Sequence, residues 1–169
     1  MQNRLNGGYT KAMRTLAIDP GYGRCGVAII EKLAGKKEVL VYSDCIETAK
    51  GDPFPDRLGA VITACKNLID IYSPDSLAIE KLYFSNNQKT AMQVAEVRGA
   101  IIGLASLCDI PVSEYTPGEI KSATTGYGGA DKKQIAKMLH LLIVINKVIR
   151  FDDEYDAIAV GITHMVRAR

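Results

Sequence analysis

Carboxylates stand at three separated places in the chain where they could act together. Asp19 closes the run Leu16-Ala17-Ile18-Asp19 ahead of Pro20-Gly21-Tyr22-Gly23, and Glu80 closes Ser76-Leu77-Ala78-Ile79-Glu80. Asp152, Asp153, Glu154 and Asp156 crowd a third segment. A carboxylate at the end of a buried aliphatic run is costly to desolvate, so it is expected to face an opening, a cation or a hydrogen-bond donor. Asp153 and Asp156, three apart, share a helical face, and so do Asp152 and Asp156, four apart. Hard oxygen donors with no His or Cys among them favour magnesium, with manganese as a substitute, over zinc. Four such carboxylates can hold two ions about 4 Å apart, the arrangement that activates a water and stabilises the leaving oxygen in phosphodiester cleavage. Each acid also has a plainer reading. Asp19 fits ordinary Asp-Pro-Gly turn chemistry, and acids in a first helical turn complement the helix dipole.

The elements that must position these acids follow from patterning. Apolar runs at 14–19 and 24–31 flank the glycine-rich turn and read as a hairpin, with a third strand at 38–46 completing a meander. Pro55 suits a helix start. Leu58, Val61, Ile62, Cys65, Leu68, Ile69 and Tyr72 then recur at spacings of three and four, an amphipathic helix that ends before Pro74. A short buried strand follows at 76–80. The helical stretch from Asn86 to Leu107 is rich in Ala and Gly, which suits close packing in the core and makes it a candidate dimer surface. Residues 111–115 read as a strand, Pro117 starts a helix, 126–129 form a loop, Asp131 can N-cap a helix through Leu142, and a last helix begins near Asp152. The order β-β-β-α-β-α-β-α-α-α predicts an α/β fold: a five-stranded mixed sheet, its first three strands antiparallel, flanked by helices. The ligand edge of an open α/β sheet is where Asp19 and Glu80 would stand.

With 169 residues and 47% hydrophobic composition, the chain suits a single domain, taken as 14–169 after a flexible leader at 1–13. The 21 Lys and Arg against 19 Asp and Glu leave a formal charge of +2, too small to announce a nucleic-acid partner from the total. No apolar run reaches membrane-spanning length and Met1 to Lys11 lacks an apolar segment, so a cytoplasmic location is expected. Cys25, Cys45, Cys65 and Cys108 are far apart with no Cys-x-x-Cys pair, and four buried thiols are expected in place of a zinc site or disulfide frame.

An ordered set of motifs makes the reading specific. Asp19-Pro20-Gly21 with Gly26, Ala78-Ile79-Glu80 followed by Tyr83 and Phe84, and Asp153-Glu154-Tyr155-Asp156-Ala157-Ile158-Ala159 running into Ile162-Thr163-His164 resemble the RuvC family of bacterial Holliday-junction resolvases, within the ribonuclease H-like superfamily. Ala95-Glu96-Val97-Arg98-Gly99 resembles that family's long helix. The segment from Gly126 to Gln134 resembles its glycine loop and basic helix. The resemblance extends from about Leu16 to His164.

It implies a homodimer that grips a four-way DNA junction and, with magnesium or manganese, nicks two opposed strands symmetrically in recombination and repair. It places Asp19, Glu80, Asp153 and Asp156 in the catalytic, metal-binding set, and Tyr83, with Phe84, on a base near the crossover, a role suited to an exposed ring. Lys121 and Lys132 match family lysines near the scissile backbone; Lys133, Lys137 and Arg98 would add to a local positive field. A RuvA–RuvB branch-migration complex is the partner the family suggests. The chain departs from the family pattern at Glu154 and Tyr155, where small residues are usual, and its 146–151 loop lacks the usual proline. Asp152 therefore competes with Asp153 as the partner of Asp156, and Asp153 is preferred. His140 and His164 are expected to pack or cap. Three other readings remain: a pre-ribosomal RNA nuclease with the same Asp-x-Gly hairpin, an actin-like ATPase needing two such lobes, and a junction-binding protein without cleavage.

Overall fold

The computed structural model describes residues 12–82 and 88–168. Strands β1 (Met13–Asp19), β2 (Arg24–Lys32) and β3 (Val39–Glu47) form the antiparallel meander, and α1 (Phe54–Tyr72) leads to β4 (Ser76–Glu80). Then come α2 (Gln88–Leu107), β5 (Val112–Tyr115), α3 (Pro117–Thr125), α4 (Lys132–Leu142) and α5 (Asp152–Arg167). The sheet order is β3-β2-β1-β4-β5, with β4 parallel to both β1 and β5. Type and order of every element agree with the expectation from patterning.

Side chains alternate across the sheet, and the two faces have different sizes. Leu16, Ile18, Val27, Ile29, Leu77 and Ile79 fill one face and pack with Val61, Cys65 and Leu68 of α1 and Val97 and Ile101 of α2. The other face carries Ala17, Ala28 and Ala78 in the central strands and receives α5, with Ile120 of α3 and Ile135 and Leu139 of α4 beside it. Alanines leave room for a helix to lie low on the sheet. Gly161 of α5 completes the fit, because a Cβ there would overlap the Ile30 side chain and press on Ala17.

Local signals stop and start the helices as the sequence suggests. Pro55 lies in the first turn of α1, whose C-cap Ser73 takes the left-handed conformation at φ 45°. Thr116 with Glu119 and Asp131 with Gln134 form reciprocal capping boxes on α3 and α4. Three details differ from expectation. Met13, assigned to the leader, opens β1 and packs against the core, the rest of that leader lying almost entirely outside the described residues. Cys108 is half-buried because it sits just past the end of α2, whereas Cys25, Cys45 and Cys65 are buried; all four are free thiols. Of the small residues of α2, Ala91 and Ala105 are buried in the core, whereas Ala95, Gly99 and Gly103 lie on the exposed side, where only the dimer-surface reading of this stretch applies.

Candidate active site

The site is assembled by strand register. Ile18 pairs with Ile79 in the parallel β1–β4 ladder, so the next residues, Asp19 and Glu80, stand side by side at the strand ends. By alternation they share the face of Ala17 and Ala78, the face on which α5 lies. Asp19 is also opposite Gly26 in β2. A Cβ at Gly26 would overlap the backbone carbonyl of Asp153, so glycine there lets the first turn of α5 rest on the hairpin beside Asp19. One close contact thus brings the third acidic segment to the other two.

The electrostatics record the crowding. Burial, then the negative charges of Glu80, Asp156 and Asp153, push Asp19 up to about 8. Glu80 is also raised, chiefly by burial and by Asp156, although its hydrogen bond with Asp19 and the nearby Lys132 and Lys121 pull the other way. Asp152 is exposed, whereas Asp153 and Asp156 are half-buried and are among the charges that raise Asp19. The helix register therefore turns Asp153 and Asp156, not Asp152, toward Asp19. Asp152 and Asp156 both line a small cavity of about 260 Å³ with Lys132, Lys133 and Tyr155.

Two cations hold the acids of α5. Arg24 Nη2 lies 3.2 Å from Asp153 Oδ2, its guanidinium over the Phe151 ring at 4.9 Å. Lys132 Nζ donates to Asp156 Oδ2 at 2.8 Å, and this bond raises the lysine pKa. Among the described residues, no three ligating side chains already converge on one point as a metal shell. The donor set nevertheless fits a hard divalent cation: oxygen ligands alone, from three elements, with Asp19 and Glu80 both raised by burial and by the neighbouring carboxylates.

Other candidate residues are placed differently. Lys121 acts on Glu80 from α3, while Lys133 and Lys137 are exposed on α4. Arg98, expected on the DNA surface, is turned inward. Its Nε donates to the Glu80 carbonyl at 3.1 Å and its guanidinium pairs with Glu114, so it ties α2 to the ends of β4 and β5. Burial lowers its pKa. Tyr83 and Phe84 lie outside the described residues. His164 is buried in the core with Nδ1 2.9 Å from the Tyr115 hydroxyl, and His140 Nε2 lies 3.0 Å from the Tyr155 hydroxyl.

Glu154, in the first turn of α5, does more than complement the helix dipole. It is 1% exposed and accepts from Ser43 Oγ at 2.6 Å, Lys147 Nζ at 2.6 Å and the backbone N–H of Arg150 at 2.9 Å. Burial alone would raise its pKa; these donors outweigh that and leave it lowered. The carboxylate clasps α5 to β3 between the two acids that face the site. Ser43 is 111 positions away, so no local pattern announces the contact. Arg24 was also missed, although its place at the first residue of β2, beside the glycine turn, is visible in the sequence.

The profile for "Crossover junction endodeoxyribonuclease RuvC" matches residues 15–164. The chain belongs to the RuvC family. It is 43% identical over 152 residues to the crossover junction endodeoxyribonuclease RuvC of Brevibacillus brevis, covering 90% of this chain and 91% of that protein. To the Petrotoga mobilis RuvC it is 45% identical over 152 residues, covering 90% and 93%. Among solved structures it is similar to Thermus thermophilus RuvC in complex with a Holliday junction substrate, with a TM-score of 0.86, 26% identity and coverage of 93% and 95%. The yeast mitochondrial resolvase Ydc2 shares the fold at a TM-score of 0.70 and 14% identity, over 90% of this chain and 78% of that one. These matches distinguish the RuvC family from the pre-ribosomal RNA nuclease and ATPase readings.

Proposed function

We propose that this RuvC-family chain resolves Holliday junctions by paired, symmetric, metal-dependent nicks, with Asp19, Glu80, Asp153 and Asp156 as the catalytic carboxylates. The observation that carries this reading is the convergence of β1, β4 and α5 on one acid cluster, in which Asp19 is pushed up to about 8 by burial and its acidic neighbours. Such a cluster is short of positive charge. Magnesium or manganese, as two ions per site, would supply it at these oxygens, together with Lewis acidity on the scissile phosphate and a lowered pKa for an attacking water. Added positive charge would favour the ionised forms of Asp19 and Glu80, which burial and the neighbouring acids disfavour. Arg24 and Lys132 hold Asp153 and Asp156 in place. Lys132, with Lys121 and the exposed Lys133, would meet the phosphate backbone.

One chain carries one such cluster, and a four-way junction has two opposed strands to cut, which favours a homodimer. The exposed Ala95, Gly99 and Gly103 of α2, beside the 65%-exposed Met92, offer a surface that a second copy could approach closely. Base stacking by Tyr83 and Phe84, and a RuvA–RuvB partner, rest on the family resemblance.

A nicking assay on a synthetic four-way junction, beside a linear duplex of the same sequence, tests the reading. Symmetric paired cuts confined to the junction, supported by magnesium or manganese and lost with chelator, are expected. Binding without cutting under either metal would instead identify a junction-binding relative. Equal cutting of the duplex would remove the structural selectivity.

A further inference from the structure

A groove of about 520 Å³ runs from the β1–β2 hairpin to the start of α1 and reaches Thr90 and Val94 of α2; neither Lys121 nor Lys132 lines it. Tyr22, Arg24, Thr48, Lys50 and Arg57 line it, and Glu47 is the single acid among the described lining residues. Arg57 is fixed with care. Its Nε donates to Thr48 Oγ1 at 2.8 Å, and its guanidinium lies over the Tyr22 ring at 4.5 Å. Thr48 is itself anchored to the hairpin, its hydroxyl donating to the Tyr22 carbonyl at 2.5 Å and its N–H to that of Gly23 at 3.1 Å. Tyr22 is braced edge-on by Phe54, 5.9 Å away.

Among the described residues, no carboxylate pairs with Arg57 or with the exposed Lys50, although the chain holds many acids. A guanidinium oriented by a threonine and a ring, with its terminal nitrogens unpaired among the described residues, suits an anionic group that can be met in a fixed geometry, and phosphate is the common one. Arg24 joins the groove to the catalytic centre, because its guanidinium reaches Asp153.

We propose that this groove is a phosphate-binding subsite for the DNA strand being cut, taking the backbone that continues past the carboxylates on the side of the β1–β2 hairpin. The proposal rests on the nuclease reading and extends it. Lys121 and Lys132 hold the strand from one side, and Arg57 and Lys50, with Arg24 at the junction of the two regions, hold it from the other. A strand gripped on both flanks has its scissile bond fixed against the acids, which is how binding far from the chemistry improves positioning.

The test measures binding of the full chain to a synthetic four-way junction across a salt series, in an Asp19→Asn background so that no cutting intervenes. Arg57→Gln and Lys50→Gln are compared singly and together, with Arg57→Lys as the conservative control. Each lost phosphate contact should reduce the slope of log affinity against log salt by about 0.9 and weaken binding roughly 3- to 10-fold at low salt. Among the described residues Lys50 makes no hydrogen bond or ion pair, so Lys50→Gln reports on DNA contact even where Arg57→Gln perturbs folding. Unchanged slope and affinity in Lys50→Gln and in a folded Arg57→Gln, while the parent binds the junction and the wild type nicks it, would overturn the groove and leave the nuclease reading intact. Absence of junction binding or nicking by the wild type would instead overturn the reading beneath it.

Discussion

The two faces of the sheet are built from the same strands and do opposite work. Toward α1 and α2 the central strands present Leu16, Ile18, Ile29, Leu77 and Ile79, large and fully buried. Toward α5 they present Ala17, Ala28 and Ala78, with Gly26 at the end of the row. The first face derives its stability from apolar area removed from water. The second gives up part of that area so that a helix can come close enough to lay Asp153 and Asp156 beside Asp19 and Glu80. Proteins accept such local costs where function needs them, and a buried cluster of like charges is one.

The largest effect expected from breaking this contrast is at the acids themselves. Asp19→Asn should reduce nicking by about a thousand-fold or more, an order typical of losing a group that acts with its neighbours as a unit, while junction binding measured by mobility shift stays near wild type. The same substitution relieves buried like-charge repulsion. The metal-free variant should therefore melt roughly 2–6 °C higher than metal-free wild type, equivalent to about 1–2 kcal/mol for a chain of this size. A lower melting temperature would show that Asp19 is not strained by its neighbours.

Gly26→Ala should sharpen the role of the small face. Its methyl group meets the Asp153 carbonyl, backbone against backbone, so α5 must lift. A displacement near 1 Å at a catalytic group costs on the order of 100-fold in rate, with about 1–3 kcal/mol lost from stability as overpacking. Nicking kinetics and urea denaturation separate the two.

Adjacent residues of β4 give the direct comparison. Ile79→Ala empties space on the large face and should cost about 2–5 kcal/mol of stability, with nicking retained at temperatures where the variant is folded. Ala78→Val overfills the small face and should cost less, about 1–3 kcal/mol, yet impair nicking more. Equal losses of activity at equal fraction folded would dissolve the distinction between the faces.

The smallest effect belongs to His164, at the back of the small face. Burial lowers its pKa below the usual 6.5, so the folded state resists a proton that the unfolded state accepts. Stability from the neutral ring is complete above about pH 6.5 and is lost as pH falls below it. His164→Gln, which keeps a polar partner for Tyr115, should flatten the acid limb of a melting-temperature profile, while an unchanged limb would assign that limb to other groups.

Much of this was legible locally. Short apolar runs rich in β-formers marked the strands, three-and-four spacing marked α1, Pro117 and Asp131 marked helix starts, and Asp19 and Glu80 each closed an apolar run, because all of these are short-range consequences of backbone hydrogen bonding and burial. The choice between Asp152 and Asp153 was not legible: it turns on the angle at which α5 meets the sheet, set by Gly26, Gly161 and the alanine row. Arg98 looked like a DNA contact because an arginine on a helix reads as exposed until the carbonyl of Glu80 and the carboxylate of Glu114 are found beneath it.

Element order, the candidate acids and the RuvC-family resemblance follow from patterns that reach across a few residues and from the order of the motifs along the chain. Tertiary structure alone decided which acids meet, that Glu154 is a clasp, and that Arg57 stands oriented in a groove beside the hairpin. Those outcomes depend on contacts such as Ser43 with Glu154, 111 positions apart, whose energies exist only once the chain has brought both partners out of water.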